Sequence, residues 1–317
     1  MFERGNIITV GIRPAWDVVC SADGIEWGDH KVLDARTSVP AGKALNVSKA
    51  LAWLGYPSIA TGLWGQEDYD EMAEQLRPLS SFIDIRFAAV RGHTRQNITL
   101  RDTRKNREMH LRLPGTLANK GSIRRMSDQL LRMIDKDDVL VFGGSMPEGA
   151  LLEEVVSLIW DCKQKHTNII LDTSGTALER LVSSGQISLI SPNITELENL
   201  LNCRVKEDPQ AVLRAGRRLL DKVSALIVSL GSEGAVFISR DECWHSFYAG
   251  ADRDVLKTVA GGDYLLAGFI AGMKENPSPE YALTKAVRLA TGFVFGLCKD
   301  HEPWQLDEML EIETNHL

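Results

Sequence analysis

Residues 257–272, KTVAGGDYLLAGFIAG, form the most informative stretch of this chain. After the Gly-Gly-Asp triplet, large apolar side chains recur at helical spacing: Leu265, Leu266, Phe269, Ile270 and Met273. Small residues lie between them and would allow another element to approach closely: Ala267, Gly268, Ala271 and Gly272. The pattern predicts an amphipathic helix that begins at the glycines.

The turn before this helix has two interpretations. Gly261 and Gly262 let backbone N–H groups converge, and the N-terminus of a helix carries partial positive charge, so the turn suits a phosphate group. Asp263 would then face that phosphate as a candidate base. An aspartate after two glycines is also an ordinary helix N-cap, and the segment taken alone favours the cap.

The composition excludes several functional classes. The 317 residues can bury a large core, and the net charge of −7 gives no overall attraction to nucleic acid or to an acidic membrane. The five cysteines are scattered and none forms a C-x-x-C pair, which argues against a disulfide framework or a zinc site. No signal peptide or membrane span is visible, so we expect a cytoplasmic protein without nucleic-acid or membrane partners.

Short apolar runs alternate with longer helical patterns along the chain. The runs predicted as buried strands are 6–10, 139–142, 168–171, 187–190 and 225–230. The segments predicted as helices are 44–54, 153–165, 211–222 and 281–297. This alternation favours an α/β fold with a mainly parallel sheet covered by helices on both faces, in which ligands bind at the carboxyl ends of the strands.

Two regions interrupt this rhythm, at about 18–38 and 82–113. Both show polar–apolar alternation without a strong helical pattern, and in the second region apolar residues take alternate positions in 97–102 and 110–114. We expect these regions to form strands of a small separate sheet inserted into the main domain. Such a sheet could serve as a lid, as an edge extension or as a subunit contact.

A second candidate phosphate site lies in residues 40–55, PAGKALNVSKALAWLG. Its apolar spacing predicts a helix that Gly55 closes. Gly42 and Lys43 stand at the start of that helix, where a lysine can meet a phosphate, and Asn46 can orient a hydroxyl. A surface lysine beside a turn explains the same residues more simply. The spacing is not a Walker loop, because no G-x-x-x-x-G precedes Lys43.

Three more residues share this ambiguity. Asp17 is predicted just beyond the end of the first strand, and Arg95 lies in the predicted lid. Ser145 follows two glycines in a turn after a buried strand. Taken singly, each is best explained in an ordinary way, as a solvated aspartate, a surface arginine or a strand-end turn.

The order of these motifs resembles the PfkB-type, or ribokinase-like, carbohydrate kinases over about residues 6–298, and most of all the branch of 1-phosphofructokinase, 6-phosphofructokinase and tagatose-6-phosphate kinase. On one side of the site the matching residues are Pro14, Ala15 and Asp17 of T-x-N-P-A-x-D, Gly42, Lys43 and Asn46 of G-G-K-G-x-N, Thr94, Arg95 and Asn97 of T-R-x-N, and Gly144, Ser145 and Pro147 of G-S-x-P. Further along the chain they are 171–175 of l-D-x-S-G, Pro192, Asn193 and Glu196 of P-N-x-x-E, Ser229, Leu230, Gly231, Gly234 and Ala235 of S-L-G-x-x-G-A, and Gly262 and Asp263 of G-A-G-D. Each motif alone is weak, but eight in this order are specific.

The resemblance implies a ribokinase-like three-layer α/β/α domain over 1–317, with a mainly parallel central sheet and a small β-sheet lid. It implies transfer of the terminal phosphoryl group of ATP to a hydroxyl of a sugar phosphate, of the fructose 1-phosphate, fructose 6-phosphate or tagatose 6-phosphate class. By the same resemblance Asp263 is the base, and the turn of Ala260, Gly261, Gly262 and Asp263 supplies the N–H groups of an anion hole.

The resemblance also assigns the binding residues. Those for the sugar phosphate are Asp17 and Asn46 at its hydroxyls and Lys43, Arg95 and Ser145 at its phosphate, with Gly42 also among the substrate-binding residues. Those for the nucleotide are Asn193 and Glu196 near the ATP phosphates and Mg²⁺, with Glu196 acting through water, and Ser229, Gly231 and Gly234 in the nucleotide pocket. A homodimer through the lid is a further hypothesis that the resemblance raises.

Departures from the family pattern leave the acceptor and the rate open. Arg13 replaces an Asn of the branch, Ala41 and Ala44 replace the outer glycines of G-G-K-G, and Ser191 replaces the usual Lys before P-N. Ala260 stands where a glycine is expected, at a cost of roughly 1–2 kcal/mol if positive φ is required there, and Gly261 would restore that freedom one residue later.

We therefore expect activity that is slow or directed to an unusual acceptor. The alternatives are a kinase of an unphosphorylated sugar or nucleoside, and a catalytically impaired sugar-phosphate-binding protein. A dinucleotide-binding domain is disfavoured, because no G-x-G-x-x-G follows the first strand.

Overall fold

A computed structural model describes residues 2, 4–185, 187–251, 253–257 and 259–317. Within these residues the chain forms fourteen strands, which in chain order are β1 (Ile7–Gly11), β2 (Ala15–Ala22), β3 (Ala35–Ala41), β4 (Ser58–Gly65), β5 (Ile83–Val90), β6 (Gln96–Asp102), β7 (Arg107–Arg112), β8 (Val139–Gly143), β9 (Asn168–Asp172), β10 (Ile187–Ile190), β11 (Val223–Ser229), β12 (Ala235–Ser239), β13 (Cys243–Tyr248) and β14 (Ile312–His316). The helices are α1 (Lys43–Trp53), α2 (Tyr69–Leu76), α3 (Lys120–Met133), α4 (Ala150–Gln164), α5 (Gly175–Ser184), α6 (Ile194–Leu201), α7 (Pro209–Gly216), α8 (Gly261–Glu275), α9 (Pro279–Val294) and α10 (Gln305–Met309). In this part of the chain no helix is long and apolar enough to cross a membrane.

Ten strands form the main sheet, in the order β14-β13-β12-β11-β10-β9-β8-β1-β4-β5. Neighbouring strands from β11 across to β5 run parallel, which confirms the predicted mainly parallel sheet. The inner strands β1 and β8 are buried along their whole length, which is why their sequences are continuously apolar. The antiparallel extension β12–β14 was not predicted.

The predicted helices are present with shifted ends. The helix predicted over 211–222 is α7, which begins earlier because the Asp208 side chain caps it, and which gives way to a 3₁₀ turn at Arg217. The helix predicted over 281–297 is α9, which begins after its N-cap Ser278. Local capping therefore fixes ends that the apolar spacing alone left open.

Helices cover both faces of the main sheet. Alternate residues of β8 show the division, since Val139 and Val141 belong to the core beneath α1, α8 and α9, whereas Leu140 and Phe142 belong to the core beneath α3–α7. Gly268 and Gly272 of α8 face α9, where an added Cβ would lie 2.7 Å from the Cα of Ala286 and 2.6 Å from the Cα of Ala282, respectively. The close packing predicted for the small residues of this helix is therefore confirmed.

The remaining four strands form a small sheet in the order β3-β2-β6-β7. In it β2 pairs antiparallel with β3 and parallel with β6, and β6 pairs antiparallel with β7. Trp16 and Val18 of β2 share a core with Trp64 and Phe87 of the main sheet, which fixes the base of the small sheet against the main domain.

Two sequence-based expectations for this region need correction. The predicted lid segment 82–113 begins too early, because β5 pairs parallel with β4 at the edge of the main sheet. Residues of an edge strand alternate between buried and exposed, so the sequence of β5 resembles that of a strand in a small sheet. Asp17, predicted just beyond a strand end, is the third residue of β2.

The backbone before α8 takes a left-handed conformation at Ala260, with φ 73° and ψ 1°. In the described residues neither Gly261 nor Gly262 has positive φ, so the expected detour through Gly261 is wrong. The Ala260 carbonyl accepts from the N–H groups of Asp263 at 3.0 Å and Tyr264 at 3.2 Å, which anchors the first turn of the helix. The alanine methyl group therefore occupies a position that favours glycine.

Replacing Ala260 with glycine should raise the free energy of unfolding by about 1 kcal/mol, because glycine reaches positive φ without the steric cost of a Cβ. Chemical denaturation measures the change. Ala211→Gly in the first turn of α7, where φ is helical, is the matched control and should lower stability, because glycine loses more conformational entropy than alanine in a helix. A less stable A260G would contradict the assigned strain.

Candidate active site

Five segments converge at the carboxyl ends of the parallel strands. β1 leads into Arg13, β8 leads into the turn that carries Ser145, and β9 ends at Asp172. α1 begins at Lys43 and α8 at Gly261, and the two helices pack against each other. The cleft thus lies where parallel α/β folds place their ligands.

Two glycines allow α1 to enter this crowded edge. An added Cβ on Gly143 would lie 2.7 Å from the backbone nitrogen of Ala44, so β8 can approach α1 only with glycine there. Gly42 precedes α1 with φ 118°, and an added Cβ would lie 3.4 Å from the Cα of Pro14. Gly42, predicted to bind substrate, therefore also has a backbone role.

Asp263 is buried, with 3% of its surface exposed, and is the third residue of α8. It is not the N-cap, since Ala260 holds that position and no side chain caps the helix, so the ordinary interpretation as a cap fails. Asp263 Oδ2 accepts a hydrogen bond from Asn46 Nδ2 at 2.8 Å, which brings together two predicted site residues from α8 and α1.

The environment of Asp263 favours its neutral form. Burial, and after it the negative charge of Asp172, raises the pKa of Asp263 to about 7, whereas the hydrogen bond from Asn46 lowers it. The negative charge of Asp17 also raises the pKa of Asp263, so the Asp17 carboxylate of the small sheet lies near enough to act on Asp263. A carboxyl group with such a pKa can exchange a proton near neutral pH.

Lys43 forms an ion pair with Asp172, with 2.7 Å between Nζ and Oδ1. Burial alone would lower the pKa of Lys43, but the negative charges of Asp172, Asp263 and Glu196 raise it overall, so the ammonium stays protonated. The other carboxylate oxygen of Asp172, Oδ2, is buried without a hydrogen-bond partner in the described residues. Sequence reasoning gave Asp172 no role, although a carboxylate that ends a buried strand was a usable signal.

Arg95 reaches the turn after β8. Its Nη2 donates to Ser145 Oγ at 3.3 Å and to the carbonyl oxygen of Arg13 at 3.2 Å, and its Nε donates to the carbonyl oxygen of Pro14 at 3.2 Å. Burial, followed by the positive charges of Arg13 and Arg112, lowers the pKa of Arg95. The structure therefore brings Arg95 and Ser145 together, with the guanidinium held by backbone carbonyls.

Asp17 lies beside Asn97 in the small sheet. The two residues are register partners on β2 and β6, and Asn97 Nδ2 donates to Asp17 Oδ1 at 2.9 Å. In the described residues Asn97 Oδ1 is buried and has no hydrogen-bond partner. An unpartnered buried acceptor beside a carboxylate suits a hydroxyl group of a ligand.

Asp68 is a buried residue that sequence reasoning missed. Its Oδ2 accepts from Trp16 Nε1 at 3.0 Å and from the Thr94 N–H at 2.8 Å, and its Oδ1 accepts from Thr94 Oγ1 at 3.0 Å. Trp16 and Thr94 directly precede Asp17 and Arg95 in the chain. One carboxylate therefore positions both segments, and no local motif identified it.

The predicted nucleotide residues lie at the ends of β10 and β11. Asn193 and Glu196 form a reciprocal capping box at the start of α6, with both hydrogen bonds at 2.9 Å. The Ser229 N–H donates to the carbonyl oxygen of Pro192 at 3.1 Å, which joins the two motifs. Gly231 has φ 59° and open space around it, whereas an added Cβ on Gly234 would lie 2.0 Å from the Ser246 carbonyl oxygen.

The acidic groups of the cleft fit Mg²⁺ bound together with phosphates. No cluster of three or more His, Cys, Asp or Glu side chains that could hold a metal occurs in the described part of the chain. Burial raises the pKa of Glu196, and the N–H of Asn193 lowers it. Asp172 Oδ2 and the Glu196 carboxylate are hard oxygen donors, as Mg²⁺ prefers, and Mg²⁺ commonly takes its other ligands from phosphates and water.

Sequence comparison gives similar proteins over most of the chain. A model of the pfkB family of carbohydrate kinases matches residues 7–294. The tagatose-6-phosphate kinase of Staphylococcus epidermidis is 29% identical over 282 residues, which cover 88% of this chain and 89% of that protein. The 1-phosphofructokinase of Escherichia coli K12 is 28% identical over 287 residues, which cover 90% of this chain and 89% of that protein.

Solved structures agree on the fold. Phosphofructokinase-2 from Escherichia coli in complex with fructose-6-phosphate has a TM-score of 0.87 at 24% identity, over 97% of this chain and 99% of that chain. A putative phosphofructokinase from Staphylococcus aureus has a TM-score of 0.81 at 25% identity, over 98% of this chain and 99% of that chain. The predicted ribokinase-like fold is thus confirmed, and the chain belongs to the PfkB family of carbohydrate kinases.

Proposed function

We propose that this carbohydrate kinase transfers the terminal phosphoryl group of ATP to a hydroxyl of a sugar phosphate, in the class of tagatose 6-phosphate, fructose 6-phosphate or fructose 1-phosphate. The observation that carries the proposal is the buried Asp263 at the start of α8, bonded to Asn46 and close to the Lys43–Asp172 pair. The names of the similar kinases support the acceptor class.

In the proposed reaction the acceptor oxygen attacks the terminal phosphorus while the bond between that phosphorus and the ADP oxygen breaks. Asp263 accepts the hydroxyl proton, and its pKa of about 7 suits that role. Gly261 and Gly262 lie in the first turn of α8, where backbone N–H groups have no acceptor within the helix, so they would donate to the transferred phosphoryl oxygens. The resemblance assigned Lys43 to the phosphate already on the sugar, but because its ammonium pairs with Asp172, we propose instead that it adds positive charge near Asp263.

The remaining residues would position the two substrates. Asp17 and Asn46 would bind sugar hydroxyls, and Arg95 and Ser145 would bind the phosphate already on the sugar. Asn193 and Glu196 would lie near the ATP phosphates, with Ser229, Gly231 and Gly234 around the nucleotide. Mg²⁺ held near Glu196, partly through water, would neutralise charge on those phosphates.

Replacing Asp263 with asparagine should lower kcat by about 10²- to 10⁴-fold, because the amide cannot accept the proton. The wild-type kcat/KM should rise with pH through about 7, since the protonated carboxyl that predominates below this pKa is inactive. ADP release with the three sugar phosphates, measured from about pH 5.5 to about pH 8.5, tests both expectations.

Asp161→Asn on the exposed surface of α4 is the matched control and should keep the wild-type pH profile. If D263N retained the wild-type kcat, Asp263 would not be the base. If calorimetry showed that the wild type binds a sugar phosphate while no ADP is released, the chain would be a binding protein.

Replacing Arg95 with alanine should raise KM for the sugar phosphate by roughly 10- to 100-fold, because a charge-assisted hydrogen bond to phosphate is lost. KM for ATP should stay unchanged. Steady-state kinetics with the phosphorylated and unphosphorylated forms of one sugar make the comparison, with Arg132→Ala on exposed α3 as the control. Equal effects on both sugars would favour a kinase of unphosphorylated acceptors.

We also propose that the small sheet acts as a lid and pairs with that of a second copy, forming a homodimer. Its strands and adjoining segments expose apolar side chains: Trp27, Val39, Met109, Leu111 and Leu113. Such a patch on a small sheet suits burial against an equivalent surface. Assembly occurs on this fold, since one similar structure is the tetrameric inhibited form of phosphofructokinase-2 from Escherichia coli.

Leu111→Asp should convert the dimer to monomers, because a buried unpaired carboxylate opposes association. Sedimentation velocity at several protein concentrations measures the change. Trp160→Asp, on the exposed surface of α4, should leave the dimer intact. A wild-type chain that sediments as a monomer at all concentrations would refute the lid dimer.

A further inference from the structure

We infer that Arg13 is a second phosphate-binding cation of the sugar site, and that it acts with Arg95 to restrict the acceptor to sugars that carry a dianionic phosphate. The inference rests on the proposed sugar-phosphate kinase activity and names a specificity-determining residue for it. The kinase branch that the motifs resemble has Asn at this position, so Arg13 departs from that motif by adding a positive charge.

The two guanidinium groups meet at one turn. Arg13 Nη1 donates to the carbonyl oxygen of Met146 at 3.3 Å, and Arg95 Nη2 donates to Oγ of the preceding residue, Ser145, also at 3.3 Å. Both side chains also flank Gly115, where an added Cβ would lie 3.2 Å from Arg95 Cδ and 3.5 Å from Arg13 Nε. Because glycine has no Cβ, residue 115 leaves room for both arginine side chains in one corner of the cleft.

This corner carries the positive charges of Arg13 and Arg95, with Arg112 nearby, and the Asp17 carboxylate offsets them only in part, since the pKa of Arg95 is lowered overall. Among the described residues neither Arg13 nor Arg95 forms a salt bridge with a carboxylate, although many other arginines of the chain do. The positive charge of Arg13 contributes, after burial, to lowering the pKa of Arg95. Two neighbouring cations repel each other, so an anion that enters between them is stabilised by both.

The donors that remain fit a phosphate group. Arg13 uses only Nη1 within the described residues, and Arg95 uses Nε and Nη2, which leaves Nε and Nη2 of Arg13 and Nη1 of Arg95 for a ligand. The planar fork of a guanidinium matches two phosphate oxygens, and the Ser145 hydroxyl can donate to a third. A neutral hydroxyl would leave these charges uncompensated, so the site selects against an unphosphorylated sugar.

A purely structural role is the competing explanation, because the bond to Met146 could simply support the turn after β8. That role predicts a different kinetic result. Loss of turn support would disturb Ser145 and neighbouring backbone, lowering thermal stability and affecting the turnover of phosphorylated and neutral sugars alike. Loss of a phosphate ligand would affect only the phosphorylated acceptor.

The experiment compares wild type, Arg13→Asn and Arg13→Lys. The asparagine variant should raise KM for the sugar phosphate about tenfold, with kcat and KM for ATP unchanged, and it should weaken competition by inorganic phosphate against the sugar phosphate about equally. Its KM should depend less on ionic strength than that of the wild type, since one charge is lost. The lysine variant keeps the charge and should recover part of the affinity.

Arg124→Asn on the exposed face of α3 is the matched control and should behave as wild type. If R13N kept KM for the sugar phosphate within about twofold of wild type, or raised KM for ATP and lowered thermal stability in parallel, the inference would be overturned. If the wild type itself released no ADP with any sugar phosphate, the proposed function would fail. Calorimetric titration of the same sugar phosphates into wild type and R13N would then still test Arg13, with about tenfold weaker binding expected for the variant.

Discussion

The structure depends on two buried carboxylates, Asp172 and Asp263, that share the positive charge of Lys43. Placing two negative groups together in a buried site is costly, and one ammonium compensates for only part of it. Burial, and after it the negative charge of Asp172, raises the pKa of Asp263 to about 7, although the hydrogen bond from Asn46 and the charge of Lys43 lower it. Lys43 contacts Asp172 and acts on Asp263 through its charge, and the start of α1 can lie against β8 only because residue 143 is glycine. The backbone geometry of the cleft and its acid–base chemistry therefore follow from one electrostatic constraint.

Much of the fold could be predicted from the sequence, because its central elements carry strong local patterns. β8 is apolar on both faces, and α8 combines helical spacing with small residues that meet α9. The strands at the edges of the main sheet were harder to predict. β5 alternates between buried and exposed residues, so its sequence could not be distinguished from a strand of the small sheet. The antiparallel strands β12–β14 are short, and their place in the main sheet follows from pairing between distant segments, which single-segment patterns do not contain.

The candidate site, like the fold, contains residues that the sequence could predict and residues that it could not. The order of the motifs predicted that Asp263, Asn46, Arg95 and Ser145 belong to one site, and hydrogen bonds join them in two pairs. The position of Asp172 at a strand end was a usable signal, but the partners of Asp172 and Asp68 could not be predicted, because both residues make contacts across the fold. Asp172 meets Lys43 from 129 positions away, and Asp68 meets Trp16 from 52 positions away. The left-handed backbone at Ala260 was anticipated as a cost, but only the structure shows that the alanine itself carries it.

The contacts of Asp68 have a consequence for how acceptors are measured. Asp68 holds Trp16 and Thr94, and the Trp16 N–H donates to the Arg95 carbonyl oxygen at 2.8 Å. The two proposed recognition groups, the Asp17 carboxylate and the Arg95 guanidinium, therefore extend from one rigid piece of backbone. The distance between the points where these two side chains leave the backbone is therefore fixed. Under the proposed roles, the site selects acceptors by the distance between their phosphate and their hydroxyl groups. A sugar phosphate that is one carbon too short or too long would not bind productively, even when every functional group is present.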